Sequence, residues 1–301
     1  MSNESDQPKR TTLPMAPQAG STSQPPQGAV SRAIPGVKHI IAVGAGKGGV
    51  GKTTAAVNLA IALSRSGSRV GIIDADVYGP NIPIMLGLEA QLESDGKKIV
   101  PAEKFGLQVV SMGFLTSADA PIIWRGPMLH GVVRQFFQDV RWGELDYLVV
   151  DMPPGTGDVA LSLSQTVPVS GAVVVTTPQT VSLADSRRAI AMYKKLEIPT
   201  LGIIENMSHY VCPSCHHSSD IFGEGGGQRL ADELKVPFLG RIPIYTPIRV
   251  GSDTGVPLVI SEEDSPAAKA FFDTSERMAT QVSMVSYETL SAESPTGVQS
   301  S

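Results

Sequence analysis

Seven apolar runs punctuate the middle of the chain. HIIAVGA (39–45), RVGIIDAD (69–76), LQVVSMG (107–113), DYLVVDMP (146–153), GAVVVTTP (171–178) and TLGIIENM (200–207) are nearly continuous in Val, Ile, Leu and Ala, and VPFLGRIP (236–243) is a weaker seventh. Strands buried on both faces read this way, without the polar alternation of a half-exposed sheet. Between them lie stretches of helical spacing: KTTAAVNLAIALSRSG, with Gly67 as its stop, and others near 126–140, 182–197 and 226–235. The alternation predicts a doubly wound α/β fold, a mostly parallel sheet with helices on both faces and a short edge strand. Ligands in that architecture sit at the carboxyl ends of the strands. The chain carries no internal repeat.

The pattern fades at both ends. Residues 1–36 are Pro, Ser, Gln, Thr and Gly with few large apolar side chains, and 284–301 (MVSYETLSAESPTGVQSS) look similar. Such segments cannot offset their ordering entropy by burial, so two disordered tails are expected around a folded domain over 37–283.

Composition narrows the class. The 301 residues are 42% hydrophobic and 18% charged, with a formal net charge of −5. That balance does not suit a general nucleic-acid binder. No apolar run approaches the roughly 18 residues of a transmembrane helix. The N-terminus has no signal-peptide core, and Glu4 and Asp6 argue against a transit peptide. A cytoplasmic protein with no membrane and no nucleic-acid partner is expected. Two cysteines, Cys212 and Cys215, rule out a disulfide framework.

The candidate chemistry falls at the strand ends. Gly46, Lys47, Gly48, Gly49, Val50, Gly51, Lys52 and Thr53 read GKGGVGKT, a match to G-x4-G-K-[ST], directly after a strand and opening a helix. Glycines let the backbone wrap phosphate oxygens, and the N–H groups of the helix N-terminus point at the anion. Lys52 is placed to reach the β- and γ-phosphates of ATP, the Thr53 hydroxyl to coordinate Mg2+, and Thr54 to reach the α-phosphate. Asp151 follows four apolar residues in DYLVVDMPPGTGD, a position that holds magnesium through water. Asp74 and Asp76 end the second strand. Asp76 is assigned to positioning the attacking water, with Asp74 in support.

Lys47 is the residue a plain phosphate loop lacks. KGGVGKT resembles the deviant Walker A motif of the MinD/ParA/nitrogenase-iron-protein class. The resemblance implies that Lys47 crosses a two-fold homodimer to the phosphates of the partner's nucleotide, where it acts as an arginine finger does. The motifs DADVYGPNIPIMLG, SMGFL, WRGPM, DYLVVDMPPGTGD, TTPQTVSLAD, ENMSHYVCPSC, IFGEGGGQRLA and RIPIYTPIR together resemble the Mrp/ApbC-type subfamily, from about Gly36 to Phe272. That subfamily comprises ATP-binding iron–sulfur cluster carriers. Two features depart from it: Ala45 replaces a common serine, and the tail has neither the small N-terminal domain of many bacterial members nor the four cysteines of one eukaryotic branch.

The CPSC pair (212–215) supplies two thiols where a [4Fe–4S] cluster or tetrahedral zinc wants four. A two-fold dimer brings two such pairs together, and this is the arrangement the resemblance implies. The residues alone also allow free thiols, a disulfide, zinc bridging two chains, or zinc held with one of His209, His216 or His217. In the wider class an asparagine after the sixth strand bonds adenine, and Asn206 matches that place. Pro243 in RIPIYTPIR matches the wall over the base, with Arg249 close by in sequence. Arg125 faces either a phosphate or the partner, and Trp124 and Trp142 read as packing residues. The function implied is an ATPase that binds a [4Fe–4S] cluster at a homodimer interface, receives it from scaffold proteins and delivers it to apo-proteins. A membrane-cycling or DNA-cycling ATPase would need a basic amphipathic end or a cationic face, and a small-molecule kinase has little use for a lysine in trans.

Overall fold

A computed structural model describes residues 32–293, apart from 78, 90–92, 116–125, 156, 213 and 216. The expectations for Trp124, Arg125 and His216, and for the tails over 1–31 and 294–301, lie outside the described residues.

Strand β1 (Val37–Gly44) runs through a glycine loop into α1 (Lys52–Arg65). Strand β2 (Val70–Asp74) leads to the short α2 (Ile82–Leu86) and a small hairpin, β3 (Glu93–Ser94) with β4 (Ile99–Val100). Then come β5 (Ala102–Lys104), β6 (Leu107–Ser111), a 3₁₀ turn over Met112–Phe114, and α3 (Gly126–Gln138). Three strand–helix units follow: β7 (Leu145–Asp151) with α4 (Asp158–Thr166), β8 (Gly171–Thr176) with α5 (Thr180–Lys195), and β9 (Thr200–Val211) with β10 (Ser218–Ser219) and α6 (Gly226–Leu234). The chain closes with β11 (Phe238–Ile244), α7 (Thr246–Thr254), α8 (Leu258–Ser261) and α9 (Pro266–Glu293).

The main sheet runs β10-β9-β8-β1-β7-β2-β6-β5, with β11 on β9. Its central pairs are parallel, and among the described residues only β5 on β6 and β10 on β9 are antiparallel. Alternate residues of each strand feed opposite faces. Ile41, Val43 and Ile72 pack with α1 and α9, whereas Ile40, Ala42 and Ile73 pack with Phe136 and Phe137 of α3 and with Tyr193 of α5. This is the doubly wound sheet that the apolar runs predict. Trp142 is buried in the second of these cores and donates Nε1–H to the Phe136 carbonyl at 2.9 Å, a packing role as expected.

Three boundaries differ from the sequence reading. The folded part begins before residue 37: Ile34 is buried among the α3–α4–α5 core, the Arg32 amide donates to the Thr166 carbonyl, and the Gly36 carbonyl accepts from Leu145. One apolar side chain and edge hydrogen bonds suffice to dock a short Pro-rich stretch. At the other end, residues 284–293 are not a disordered tail but the last turns of α9. Phe271, Met278 and Val282 bury fully along it and Val285 packs partly, each full burial being worth about 1.5–3 kcal/mol. No Gly or Pro interrupts the sequence between Pro266 and Pro295, so propagation costs little once that face is anchored. Finally, β9 does not stop near residue 207 but continues to Val211, which carries it to the cysteines.

Candidate functional site

The glycine loop is shaped by where side chains cannot go. Gly49 and Gly51 take φ of 80° and 79°, the left-handed region that favours glycine, and Gly51 is the cap of α1. A Cβ at Gly46 would lie 2.2 Å from the Asp185 backbone, so the loop's first turn rests on α5. A Cβ at Gly48 would meet nothing within 4 Å, so the middle of the loop is open. An open turn of backbone N–H groups feeding a fourteen-residue helix is a cradle for phosphate oxygens.

Strand register sets the carboxylates beside it. Asp151 pairs with Val43 on β1 and with Asp74 on β2, and Asp74 pairs with Ser111 on β6, so all lie abreast at the carboxyl end of the sheet. Lys52 is 7% exposed and Asp151 is fully buried; Lys52 Nζ donates to Asp151 Oδ1 at 2.6 Å, and the Thr53 hydroxyl donates to Asp151 Oδ2 at 2.7 Å. Asp76 Oδ2 lies 3.9 Å from the same ammonium. Burial pushes the Asp151 carboxyl up, and the Lys52 charge and the bonds from Lys52 and Thr53 pull it back. Asp74 is pushed up to about 7, first by burial and then by the Asp151 charge. It accepts from the Ile82 and Asp76 amides and from the Ser111 hydroxyl at 2.9 Å. Asp74 therefore ties the loop after β2 to α2 and β6, and Asp76 faces the lysine. The loop after β7 closes on the glycine loop through the Gly155 amide and the Ala45 carbonyl.

Other predicted residues are placed differently. Lys47 is half-buried and forms no ion pair with any described residue. Asn206 is buried and donates Nδ2–H to the Val50 carbonyl at 2.8 Å, so its amide N–H holds the glycine loop from below. Pro243 follows Ile242, the register partner of Asn206, which brings the two onto neighbouring strands, β11 and β9. Arg249 pairs with Asp253 one turn along α7.

Beyond Asn206 the strand bends at Met207, φ 54°, and runs on into a hairpin. Ser218 and Ser219 pair back onto Val211 and Tyr210, and the Cys212 amide donates to the His217 carbonyl. The turn between carries both thiols, Cys212 half-exposed and Cys215 exposed. The Cys215 and Ser214 amides aim at the Cys212 sulfur and hold its thiol below the ordinary range, a turn that favours thiolate. Among the described residues no third His, Cys, Asp or Glu joins the pair as a metal set.

One residue at this junction escaped the sequence reading. Glu205 precedes Asn206 on β9, is fully buried, and accepts from the Gly227 amide at the start of α6. The signal was a lone acid inside the apolar run TLGIIENM, which the strand reading passes over.

Comparison with known proteins follows the same geometry. The ParA-type family of NUBPL iron-transfer P-loop NTPases matches residues 36–279. The iron–sulfur cluster carrier protein of Synechocystis is 52% identical over 254 residues, covering 82% of this chain and 72% of that protein. The iron–sulfur cluster transfer protein NUBPL of Dictyostelium discoideum is 45% identical, covering 88% of this chain and 83% of its own length. A nucleotide-binding protein of Archaeoglobus fulgidus solved with ADP is 38% identical with a TM-score of 0.69, covering 79% of this chain and 93% of the other. The septum-site protein MinD of Pyrococcus horikoshii, solved with Mg-ADP, is 25% identical with a TM-score of 0.63, covering 82% and 98%.

Proposed function

The chain belongs to the ParA-type family of NUBPL iron-transfer P-loop NTPases, and from that premise we propose that it is an ATP-hydrolysing homodimer that carries a [4Fe–4S] cluster between its protomers. The observation that carries the reading is the path of β9. One strand joins Asn206, bonded to the phosphate loop, to the turn holding Cys212 and Cys215.

The chemistry assigned to each residue is as follows. Backbone N–H groups of Gly46, Gly48, Gly49, Val50 and Gly51 and the Lys52 ammonium hold the phosphates, with Thr54 at the α-phosphate. The oxygens of Thr53 and Asp151 suit Mg2+, Thr53 directly and Asp151 through water, and the ion would neutralise charge on the β- and γ-oxygens. To do so, Lys52 and Thr53 would give up their bonds to Asp151. Asp76 orients the attacking water, and Lys47 of the second protomer stabilises the charge on the transferring phosphoryl group. Asn206 and Pro243 bound the base.

Each chain brings two thiolates, and two chains meeting on a two-fold axis bring the four that the cluster requires. The cargo comes from scaffold proteins and goes to apo iron–sulfur proteins. Among the described residues no helix is long and apolar enough to cross a membrane, and we place the carrier in the cytoplasm without membrane or nucleic-acid partners. Anaerobic reconstitution with iron and sulfide tests this. The wild type should become a brown dimer, and Cys212→Ala should lose the absorbance. A full cluster retained on Cys212→Ala would reject the bridging site.

A further inference from the structure

Glu205 is a fully buried carboxylate that the nucleotide chemistry does not use. Its Oε2 accepts the Gly227 amide, across 22 residues of chain. Its Oε1 makes no hydrogen bond and faces the Arg241 guanidinium, Nε at 3.6 Å. Those residues lie in three separate stretches of the sequence: the middle of β9, the GGG that opens α6, and β11. Burying a carboxylate costs free energy, offset here by the Gly227 amide and the Arg241 charge.

What it fixes is the base of the cysteine hairpin. The outgoing leg of the hairpin is β9 itself, beginning at Glu205. The returning leg is β10, followed by residues 220–225 and then Gly226 and Gly227. The bond from Gly227 to Glu205 therefore closes residues 205–227 into a ring with both thiols at its far end. Glycine is needed at this closure. A Cβ at Gly227 would sit 3.0 Å from Glu205 Cβ, and one at Gly226 would sit 2.6 Å from the Pro178 carbonyl oxygen. The next residue on the strand, Asn206, points the other way and bonds the phosphate loop.

We infer that Glu205 is the positioning residue of the cysteine site, fixing the two legs of the 205–227 ring so that Cys212 and Cys215 are held ready for a shared cluster. The inference rests on the carrier reading for the nature of the cargo, but the closure itself is made by the chain's own residues. Glu205 and Asn206 then divide the labour at one point of β9. The first anchors the cysteine ring and the second anchors the phosphate loop.

The test uses full-length protein and the variants Glu205→Ala, Glu205→Gln and Gly227→Ala. In cluster-free protein, hydrogen exchange at the amides of 208–227 should speed up about tenfold in Glu205→Ala, the scale of losing one hydrogen bond to a charged group. Glu205→Gln keeps an acceptor and should show about a threefold change, which preserves the test if Glu205→Ala does not fold. Exchange in α1 and affinity for a fluorescent ADP should stay within about twofold of wild type. After reconstitution, Glu205→Ala and Gly227→Ala should surrender iron to a chelator about tenfold faster than wild type. Unchanged exchange in the ring, or exchange rising equally in α1, would overturn the assignment, the second because it marks general destabilisation. Wild type that takes up no cluster while its variants still loosen the ring would reject the carrier reading and uphold the closure.

Discussion

The phosphate loop and the cysteine hairpin stand at the same end of one sheet, joined by β9, and they differ in how far their side chains are already bonded to one another. Lys52, Thr53 and Asp151 already bond one another, and Asp74 and Asn206 brace the loops around them. The hairpin presents two thiols with no third ligand among the described residues. Lys47 belongs with the hairpin in this respect: it sits in the loop yet pairs with no described residue. The contrast teaches where the proposed function needs a second copy of the chain: at the cysteine pair and at Lys47, not at the bonded group around Lys52.

The sharpest way to separate the halves is Lys52→Ala. It removes the buried ammonium from between Asp151 and Asp76, and nucleotide affinity by calorimetry should fall at least about a hundredfold. Reaction of Cys212 and Cys215 with a thiol reagent should keep its wild-type rate. A large change in thiol reactivity would mean that the two halves are not separately built.

A smaller effect probes the braces. Asp74 sits at about 7 in the folded chain and near 3.8 when unfolded. Its folded value is raised, so its contribution to stability is complete below about pH 4 and is lost as pH rises through 7. Asp151 is raised in the same direction, with Lys52 opposing. The melting temperature of the nucleotide-free protein should therefore carry a component that declines from pH 4 to pH 7, by several degrees. Asp74→Asn should flatten that component, and an unchanged pH profile would remove Asp74 from the account.

The smallest effect lies at the end of α9. Ending the chain after Ser283 removes turns of α9 in which Val285 packs partly while Met284, Tyr287 and Leu290 are exposed. The cost should be about 1 kcal/mol, a melting shift of about 2–4 °C, with ATP turnover unchanged.

Much of this was legible in residues. The continuous apolar runs located every long strand, because burial on both faces makes them short, β-branched and bounded by Gly, Pro and Asp. The glycine and aspartate motifs fall together, as their places after apolar runs predict, because strand ends in register bring them to one end of the sheet. What was not legible depends on contacts between distant segments. The last turns of α9 look like a polar tail until Phe271, Met278 and Val282 anchor its face. The two-residue β10 has no signal except its pairing with β9. Asn206 could be matched to a family position, but its bond to Val50 required the fold, as did the closure of Glu205 on Gly227.

The central claim, that a second copy completes the site, is tested most directly by mixing two inactive variants. Lys47→Ala should bind ATP within about threefold of wild type and hydrolyse it about a thousandfold more slowly, the size of effect expected when a charge-stabilising cation is lost. Asp151→Asn should be impaired through magnesium. In the mixture, half of the randomly paired dimers carry both chains, and in each of these the Lys47→Ala nucleotide site receives an intact Lys47 from its neighbour. Turnover should recover to roughly a quarter of the wild-type rate. A mixture no more active than the two variants measured separately would place Lys47 in its own chain's site and contradict the account.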